Sequence, residues 1–230
     1  MLQHTDRHFE EELELLQKLL LRMGGLVEQQ ISWSIDSLVN RRSERAEEVI
    51  ERDREVNKVD IEIDELCLRL LALHQPAASD LRFIATAMKI NIDLERIGDQ
   101  AVNICERALE LNQEPPLKPY IDIPRMADIA RRMVRESLDA FVQRDTALAE
   151  QVLGQDDEVD LLTQQVFREL LSYMAENPRT IGRATRIVFV SKYLERIADH
   201  ATNIAEMVVF MVSGKMIRHG TNLPSGNQNE

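Results

Sequence analysis

Two thirteen-residue segments, one hundred residues apart, place carboxylates and an amide at helical spacing. The first, LERIGDQAVNICE, begins at Leu94, the second, LERIADHATNIAE, begins at Leu194, and nine of their thirteen aligned residues are identical. Because a helix turns about 100° per residue, the polar residues of each copy fall within an arc of roughly 80°. They are Glu95, Asp99, Asn103 and Glu106, and Glu195, Asp199, Asn203 and Glu206. Carboxylate and amide oxygens on one face are the ligands that hard cations prefer.

The acids of the first copy continue a largely apolar line on the helical wheel. Counting backward, the same stripe meets Leu81, Ile84, Met88 and Ile92. Burying ionised carboxylates there costs several kcal/mol each unless a cation or hydrogen-bond donor compensates, or unless their pKa values rise until they are neutral. In the second copy Lys192 replaces the apolar Ile92, so this lysine could supply part of the compensation.

The helix before the first motif carries a second acidic stripe, formed by Asp53, Asn57, Asp60 and Asp64, and its counterpart retains Asp157 and Asp160. Antiparallel packing of each helix on the following motif helix brings Asp60 near Glu95 or Asp99, and Asp160 near Glu195 or Asp199. The sequence therefore predicts two metal sites with oxygen ligands. The candidate ligands are Asp60, Glu95, Asp99 and Asn103 in the first half, and Asp160, Glu195, Asp199 and Asn203 in the second.

The ligand set favours a divalent or multinuclear metal without naming it. Oxygen ligands suit Mg²⁺, Mn²⁺ or Ca²⁺, several bridging carboxylates would also admit iron, and Zn²⁺ alone is less expected because cysteine and histidine ligands are missing. The alternative is a structural role, in which arginines such as Arg96, Arg186 and Arg196 neutralise the acids.

Composition predicts an all-α protein. Only 4% of the 230 residues are aromatic, 8 are Gly and 7 are Pro, which is typical of long helices. The net charge of −12 argues against nucleic-acid binding. Cys67 and Cys105 are expected to be buried and reduced, as in a cytoplasmic protein. MLQHTDRHFEEELELL carries acids where a signal peptide would carry basic residues and an apolar run, so we expect no signal peptide there. The apolar run MVVFMV from Met207 is too short to cross a bilayer.

A proline-rich segment divides the chain near its midpoint. EPPLKPYIDIP, residues 114–124, holds four prolines and cannot be helical. We expect two tandem three-helix bundles related by internal duplication, spanning residues 1–113 and 125–217, followed by a disordered tail over 218–230. In the second bundle one continuous helix is predicted from Asp145 to Glu176. Gly24 and Gly25 predict a weak point or bend in the first helix.

The residues favour a non-enzymatic role. None of the five histidines lies three residues after a Glu, as a four-helix di-iron oxidase requires, and nucleotide-binding glycine patterns and nucleophile elbows are missing. Two other interpretations stay open. One is a metal-dependent hydrolase or oxidase built on the carboxylate clusters, and the other is a purely structural helical scaffold.

The paired motifs and the two-bundle layout resemble the PhoU family of phosphate-signalling proteins. The repeated E(D)-x-x-x-D element of that family is matched by Glu95 and Asp99 and by Glu195 and Asp199. Other stretches are similar to it: MGGLVEQQ from Met23, REVNKVDIEIDELC from Arg54 and QPAASDLR from Gln75. The resemblance extends over residues 5–213.

This resemblance implies a cytoplasmic accessory protein that negatively regulates phosphate-starvation signalling and phosphate uptake. Family members bind metal clusters at these motifs and are thought to contact the sensor histidine kinase and the ATPase subunit of the phosphate ABC transporter. We therefore expect membrane association only through those partners, and a homodimer. Leu26, Ile31 and Trp33 suggest the first helix as a surface for self-association, although core packing explains them equally well.

Overall fold

The computed structural model describes the backbone of residues 2–215 and the side chains of residues 7–215. Seven α-helices and one short 3₁₀ turn account for the secondary structure of this part, which contains no strand. The helices are α1 (Leu2–Val39), α2 (Ser43–Leu73), α3 (Ala78–Asn112), α4 (Asp122–Gln143), α5 (Thr146–Leu153), α6 (Asp156–Glu176) and α7 (Ile181–Ser213). The all-α prediction is confirmed, whereas the tail predicted as disordered lies outside the described residues.

The first three helices form one antiparallel bundle. Each pair among α1, α2 and α3 is in contact. Helix α2 ends at Leu73, before Pro76, because proline disfavours a helical conformation in the residue that precedes it. The apolar side of α1 faces the bundle, and Ile31 is fully buried in the core. Of the residues suggested for self-association, only Leu26 and Trp33 are therefore partly accessible.

The second bundle repeats this plan with its middle helix broken. The prediction of one helix from Asp145 to Glu176 was wrong, because the chain turns at Gly154 and Gln155 between α5 and α6. Asp145 does cap α5, accepting hydrogen bonds from the backbone N–H groups of Ala147 and Leu148. The 3₁₀ turn Pro178–Thr180 then leads into α7.

The double glycine in α1 serves close packing. Helix α1 is continuous through Gly24 and Gly25, so the predicted weak point is not a break. A Cβ atom on Gly24 would lie 2.2 Å from Cδ1 of Leu138 in α4, whereas a Cβ on Gly25 would meet nothing within 4 Å. Gly24 therefore allows α1 to approach α4, and Gly25 has no such packing role.

The two bundles share one hydrophobic core. Helix α3 packs along α7, α1 packs on α4, and one cluster of buried side chains draws from both halves. The rings of Phe83 in α3 and Phe141 in α4 stack across this boundary, with centroids 5.2 Å apart. The duplication has thus produced two units that bury apolar surface against each other.

Helices α3 and α7 run antiparallel. Near one end of the pair, Arg82 Nε donates a hydrogen bond to the backbone carbonyl of Met211. Further along, Asp93 contacts the side chains of His200 and Asn203. Residue numbers in α7 therefore decrease as those in α3 increase, and the two repeated motifs lie beside each other.

Both cysteines are buried and free of disulfides. Burial raises the pKa of each thiol to about 12, so both remain protonated and unreactive. None of the helices described over residues 2–215 is long and apolar enough to traverse a bilayer.

Candidate functional site

The first acidic cluster lies where α2 and α3 face each other. Asn91 of α3 connects the two helices, because its side-chain amide donates to Oδ1 of Asp60 at 2.7 Å and to Oδ1 of Asp64 at 3.1 Å. Asn91 is fully buried, so it fixes the register of α3 against the acidic stripe of α2. The predicted approach of Asp60 to Glu95 follows from this register. The negative charge of Asp60 acts on Glu95, and that of Asp64 acts on Asp60.

Crowding raises the pKa of two carboxyl groups in this cluster. For Asp60 the largest cause is burial, followed by the negative charge of Asp64, while the hydrogen bond from Asn91 acts in the opposite direction. For Glu95 burial again comes first and Asp99 second, and Arg96 partly offsets both. Each group is thus harder to ionise than a free carboxyl, which a bound cation would reverse.

Two buried amide oxygens border the same cluster without a hydrogen-bond donor. Oε1 of Gln30 and Oδ1 of Asn91 are both enclosed and lack a partner among the described residues. Gln30 belongs to α1, and its Nε2 donates to Oδ1 of Asp53 at 3.2 Å. Gly98 makes room for this approach, since a Cβ there would lie 3.2 Å from the Gln30 oxygen. A cation beside the carboxylates is a fitting partner for such oxygens.

The second cluster lies between α6 and α7 and has a different composition. The charge of Glu195 acts on the carboxyl groups of Asp156, Asp160 and Asp199, so the predicted residues are brought together here too. Burial, followed by the charge of Asp199, raises the pKa of Asp156 to about 6. Burial and the charge of Glu195 likewise raise the pKa of Asp160 and that of Asp199.

Basic side chains supply part of the compensation in both clusters. Arg96 Nη1 lies 2.9 Å from Oδ2 of Asp99, and its Nε lies 3.4 Å from Oε2 of Glu95. In the second cluster Nζ of Lys192 lies 2.6 Å from Oε2 of Glu195. These pairs are partly exposed, and such pairs contribute only about 0–1 kcal/mol each. Arg186 instead pairs with Glu110 and Glu114, away from the motifs.

The two predicted amide ligands lie at the seam between the motif helices. Asn103 and Asn203 both line a cleft of about 680 Å³ between α3 and α7. Asn203 donates to Oδ1 of Asp93 at 3.3 Å, and the same oxygen lies 2.8 Å from Nδ1 of His200. Asp99 and Asp199 line the same cleft, so the structure places each asparagine beside one carboxylate of its own motif.

Within the part of the chain that the structure describes, no three His, Cys, Asp or Glu side chains form a ready-made metal-binding group. Binding one ion would thus require side-chain rotation or the amide oxygens noted above. Spacing alone missed Gln30, Asn91, Asp93 and Asp156. Asp156 lies four residues before Asp160, but the repeat concealed it because the matching residue of the first half is Val56.

This chain is similar in sequence to proteins of a known family. The family model described as the PhoU domain matches residues 20–108 and 123–208. A curated "Phosphate-specific transport system accessory protein PhoU homolog" from Pseudomonas putida is 43% identical over 217 residues, covering 94% of this chain and 85% of that protein. A relative of the same name from Aquifex aeolicus is 44% identical, covering 90% of this chain and 94% of that protein.

Solved structures agree with the sequence comparison. The crystal structure of PhoU from Pseudomonas aeruginosa has a TM-score of 0.87 at 43% identity, covering 90% of this chain and all of that one. The phosphate transport system regulatory protein PhoU from Streptococcus pneumoniae has a TM-score of 0.86 at 29% identity, covering 92% of this chain and 100% of that one. With two matched domains and similarity over most of its length, this chain belongs to the PhoU family.

Proposed function

We propose that this protein is a cytoplasmic regulatory adaptor of phosphate homeostasis that restrains phosphate-starvation signalling and phosphate uptake. The observation that carries the proposal is similarity over nearly the whole chain to proteins named as accessory to phosphate-specific transport. The partners that we propose are the sensor histidine kinase and the ATPase subunit of the phosphate ABC transporter. Two acidic clusters on a long helical scaffold suit a protein that presents surfaces to other proteins.

A pull-down from phosphate-replete cells tests the partner assignment. We expect the tagged full-length chain to retain the kinase, the transporter ATPase, or both, and to retain less of them from phosphate-starved cells. Capture of neither protein, with the tagged chain folded by circular dichroism, would contradict the adaptor role. Light scattering of the same preparation measures whether the chain forms the homodimer that we propose.

We further propose that both acidic clusters bind a divalent or multinuclear metal. Asp60, Glu95 and Asp99 would hold it in the first cluster, assisted by the unpartnered oxygen of Gln30. Asp160, Glu195 and Asp199 would hold it in the second, with Asp156 as a further carboxylate. A cation supplies positive charge, which offsets the desolvation and mutual repulsion that raise the carboxyl pKa values. Its role here is to fix α2 on α3 and α6 on α7.

Removing the carboxylates of Glu95 and Asp99 should abolish metal binding at the first cluster. We expect Glu95→Gln/Asp99→Asn to lower the metal content of protein purified without chelator, and to reduce the stabilisation by added Mn²⁺. Binding to the native state stabilises by about 2.7 kcal/mol at one hundred times the dissociation constant, so the wild-type melting temperature should rise measurably.

The matched control is Glu47→Gln/Glu51→Gln, which removes two exposed carboxylates four residues apart on α2. The control should bind metal like the wild type. Equal metal content and equal thermal shifts in all three proteins would eliminate the metal site while leaving the adaptor role standing.

A further inference from the structure

A pocket lies where the proline-rich segment between the two halves passes the turn between α1 and α2. Its volume is about 510 Å³, which is within the range of small-molecule sites. Its lining combines apolar residues, which are Val39, Pro116, Leu117 and Pro119, with the polar residues Arg41, Lys118 and Tyr120. None of the carboxylates that the structure describes lines this pocket, although the chain carries a net charge of −12. The pocket therefore differs in charge from the rest of the protein.

Arg41 brings a positive charge to the pocket that no described carboxylate neutralises. Its guanidinium group donates to the backbone carbonyls of Leu111, Asn112 and Glu114, at and just beyond the end of α3. These three acceptors are uncharged, so the bonds hold the guanidinium in place without cancelling its charge. A guanidinium has five N–H donors, and two of them remain after these three bonds. Arg41 can therefore hold the end of α3 and still donate to a ligand.

Tyr120 places a second donor at the same pocket. Its side chain is partly buried, and its hydroxyl makes no hydrogen bond to the residues that the structure describes. Burial raises the pKa of Tyr120, and the positive charge of Arg41 acts in the opposite direction. The hydroxyl is therefore protonated at neutral pH and lies close enough to the guanidinium to be influenced by its charge. Both groups can donate to one acceptor in the pocket.

Lys118 also lines the pocket, but its charge is already matched. Its side chain is only 5% exposed, and its ammonium group pairs with the carboxylate of Glu169 in α6. This pair attaches the proline-rich segment to the second half of the chain and contributes no net charge. Arg41 and Tyr120 are therefore the polar lining groups that remain for a ligand.

We propose that this pocket binds a small organic anion in which a carboxylate or phosphate group is joined to an aromatic or branched apolar body. The anionic group accepts hydrogen bonds from the free N–H groups of Arg41 and from the Tyr120 hydroxyl. The apolar body lies against Pro116, Leu117 and Pro119. Inorganic phosphate alone fits poorly, because it leaves this apolar wall in contact with water. The proposal goes beyond the adaptor role and involves no residue of either acidic cluster.

Isothermal titration calorimetry of the full-length protein tests the proposal, with naphthoate as the probe. Naphthoate joins a carboxylate to a fused aromatic ring system. The comparison compounds are naphthylmethanol, which lacks the charge, naphthylmethylamine, which reverses it, and inorganic phosphate, which lacks the apolar body. We expect naphthoate to bind at least about tenfold more tightly than each of them. Chelator is present throughout, so that no anion binds through a metal ion.

Substitutions of the two donors should weaken naphthoate binding by different amounts. Arg41→Gln removes the charge and should weaken it about tenfold, whereas Tyr120→Phe removes one donor but keeps the ring and should weaken it about threefold. Arg41→Lys keeps the charge and should lie between the wild type and Arg41→Gln. Arg42→Gln is the matched control, because Arg42 is exposed, pairs with Asp36 and does not line the pocket. It should bind naphthoate like the wild type.

The proposal is overturned if naphthoate does not bind, or if naphthylmethanol binds as tightly, because the pocket then selects no anion. It is also overturned if Arg41→Gln, folded as shown by circular dichroism, binds naphthoate like the wild type. Arg41→Gln loses three bonds to the end of α3, so its melting temperature should fall. Should that variant not fold, unchanged binding by Tyr120→Phe would overturn the proposal instead. Naphthoate binding that requires Arg196 would place the anion in the cleft between α3 and α7, which also contradicts the proposal.

Discussion

At the scale of single residues, the ionisation of Asp156 has a consequence for stability. Its pKa is raised to about 6, by burial first and then by the neighbouring charges of Asp199 and Asp160. The folded protein therefore holds the proton more tightly than the unfolded chain, whose Asp pKa is near 3.9. As the pH rises from about 4 to about 6, this group makes the folded state progressively less stable, and above that window the full penalty applies.

Asp156→Asn should therefore stabilise the metal-free protein at neutral pH. We expect a gain of about 1–2 kcal/mol at pH 7.5 in chelator, shrinking toward zero below about pH 3, where the wild-type carboxyl is neutral in both states. Denaturant unfolding at several pH values measures this. Asp157→Asn, at the exposed neighbouring position, is the control and should gain less. A gain that persists unchanged at low pH would contradict the electrostatic explanation.

The sequence identified those residues of the clusters that helical spacing reveals. Asp60, Glu95 and Asp99, with their counterparts, were predictable because an acidic stripe on an apolar line requires compensation. Gln30 and Asn91 were not predictable, because they reach the first cluster through the packing of α1 and the register of α3. The placement of Asn203 beside Asp93 also depends on the docking of one half on the other.

At the scale of helices, spacing predicted which segments are helical but not how closely they approach. The break between α5 and α6 at Gly154 was missed because the apolar periodicity continues through it, with Val152 and Val159 both buried. The double glycine of α1 predicted a weak point or bend because glycine has a low helix propensity. The close approach of Leu138 gives one of the two glycines a different purpose.

The two glycines should respond oppositely to the same substitution. Gly25→Ala should stabilise by about 0.5–1 kcal/mol, because alanine favours the helix and the added methyl group meets no neighbour. Gly24→Ala should destabilise by about 1–2 kcal/mol, because the methyl group would overlap Leu138. Thermal unfolding of both variants measures the difference. A stabilised Gly24→Ala variant would show that the Leu138 side chain or the two helices can shift at little cost.

At the scale of the whole molecule, the tandem repeat does not make two independent domains. Side chains from both bundles belong to one hydrophobic cluster, and α3 packs along α7. Repeats in the sequence predicted two similar units, but a helical wheel does not show that α3 of one unit packs on α7 of the other. The shared core makes separate unfolding of either half unfavourable, because it would expose the apolar face of the other.

We therefore expect calorimetry to show one unfolding transition, with equal calorimetric and van't Hoff enthalpies. The sole tryptophan, Trp33, lies in the first half, and the guanidinium carbons of Arg45 and Arg52 lie 4.5 Å and 5.0 Å from the centroid of its ring. Its fluorescence should change together with the circular dichroism of the entire chain. A Phe141→Ala substitution in the second half should lower the tryptophan midpoint as well. Two resolved transitions would contradict the shared core.

The antiparallel crossing of α3 and α7 has a consequence for how such a chain can be built. Two separate copies of a single unit that paired through the same helix would also place those two helices antiparallel, related by a two-fold axis. The two halves of the chain are thus arranged like the two subunits of a homodimer joined into one polypeptide. The fusion frees the two copies to diverge, so that Gln100 faces a cleft whose other wall carries His200, an asymmetry that identical subunits could never acquire.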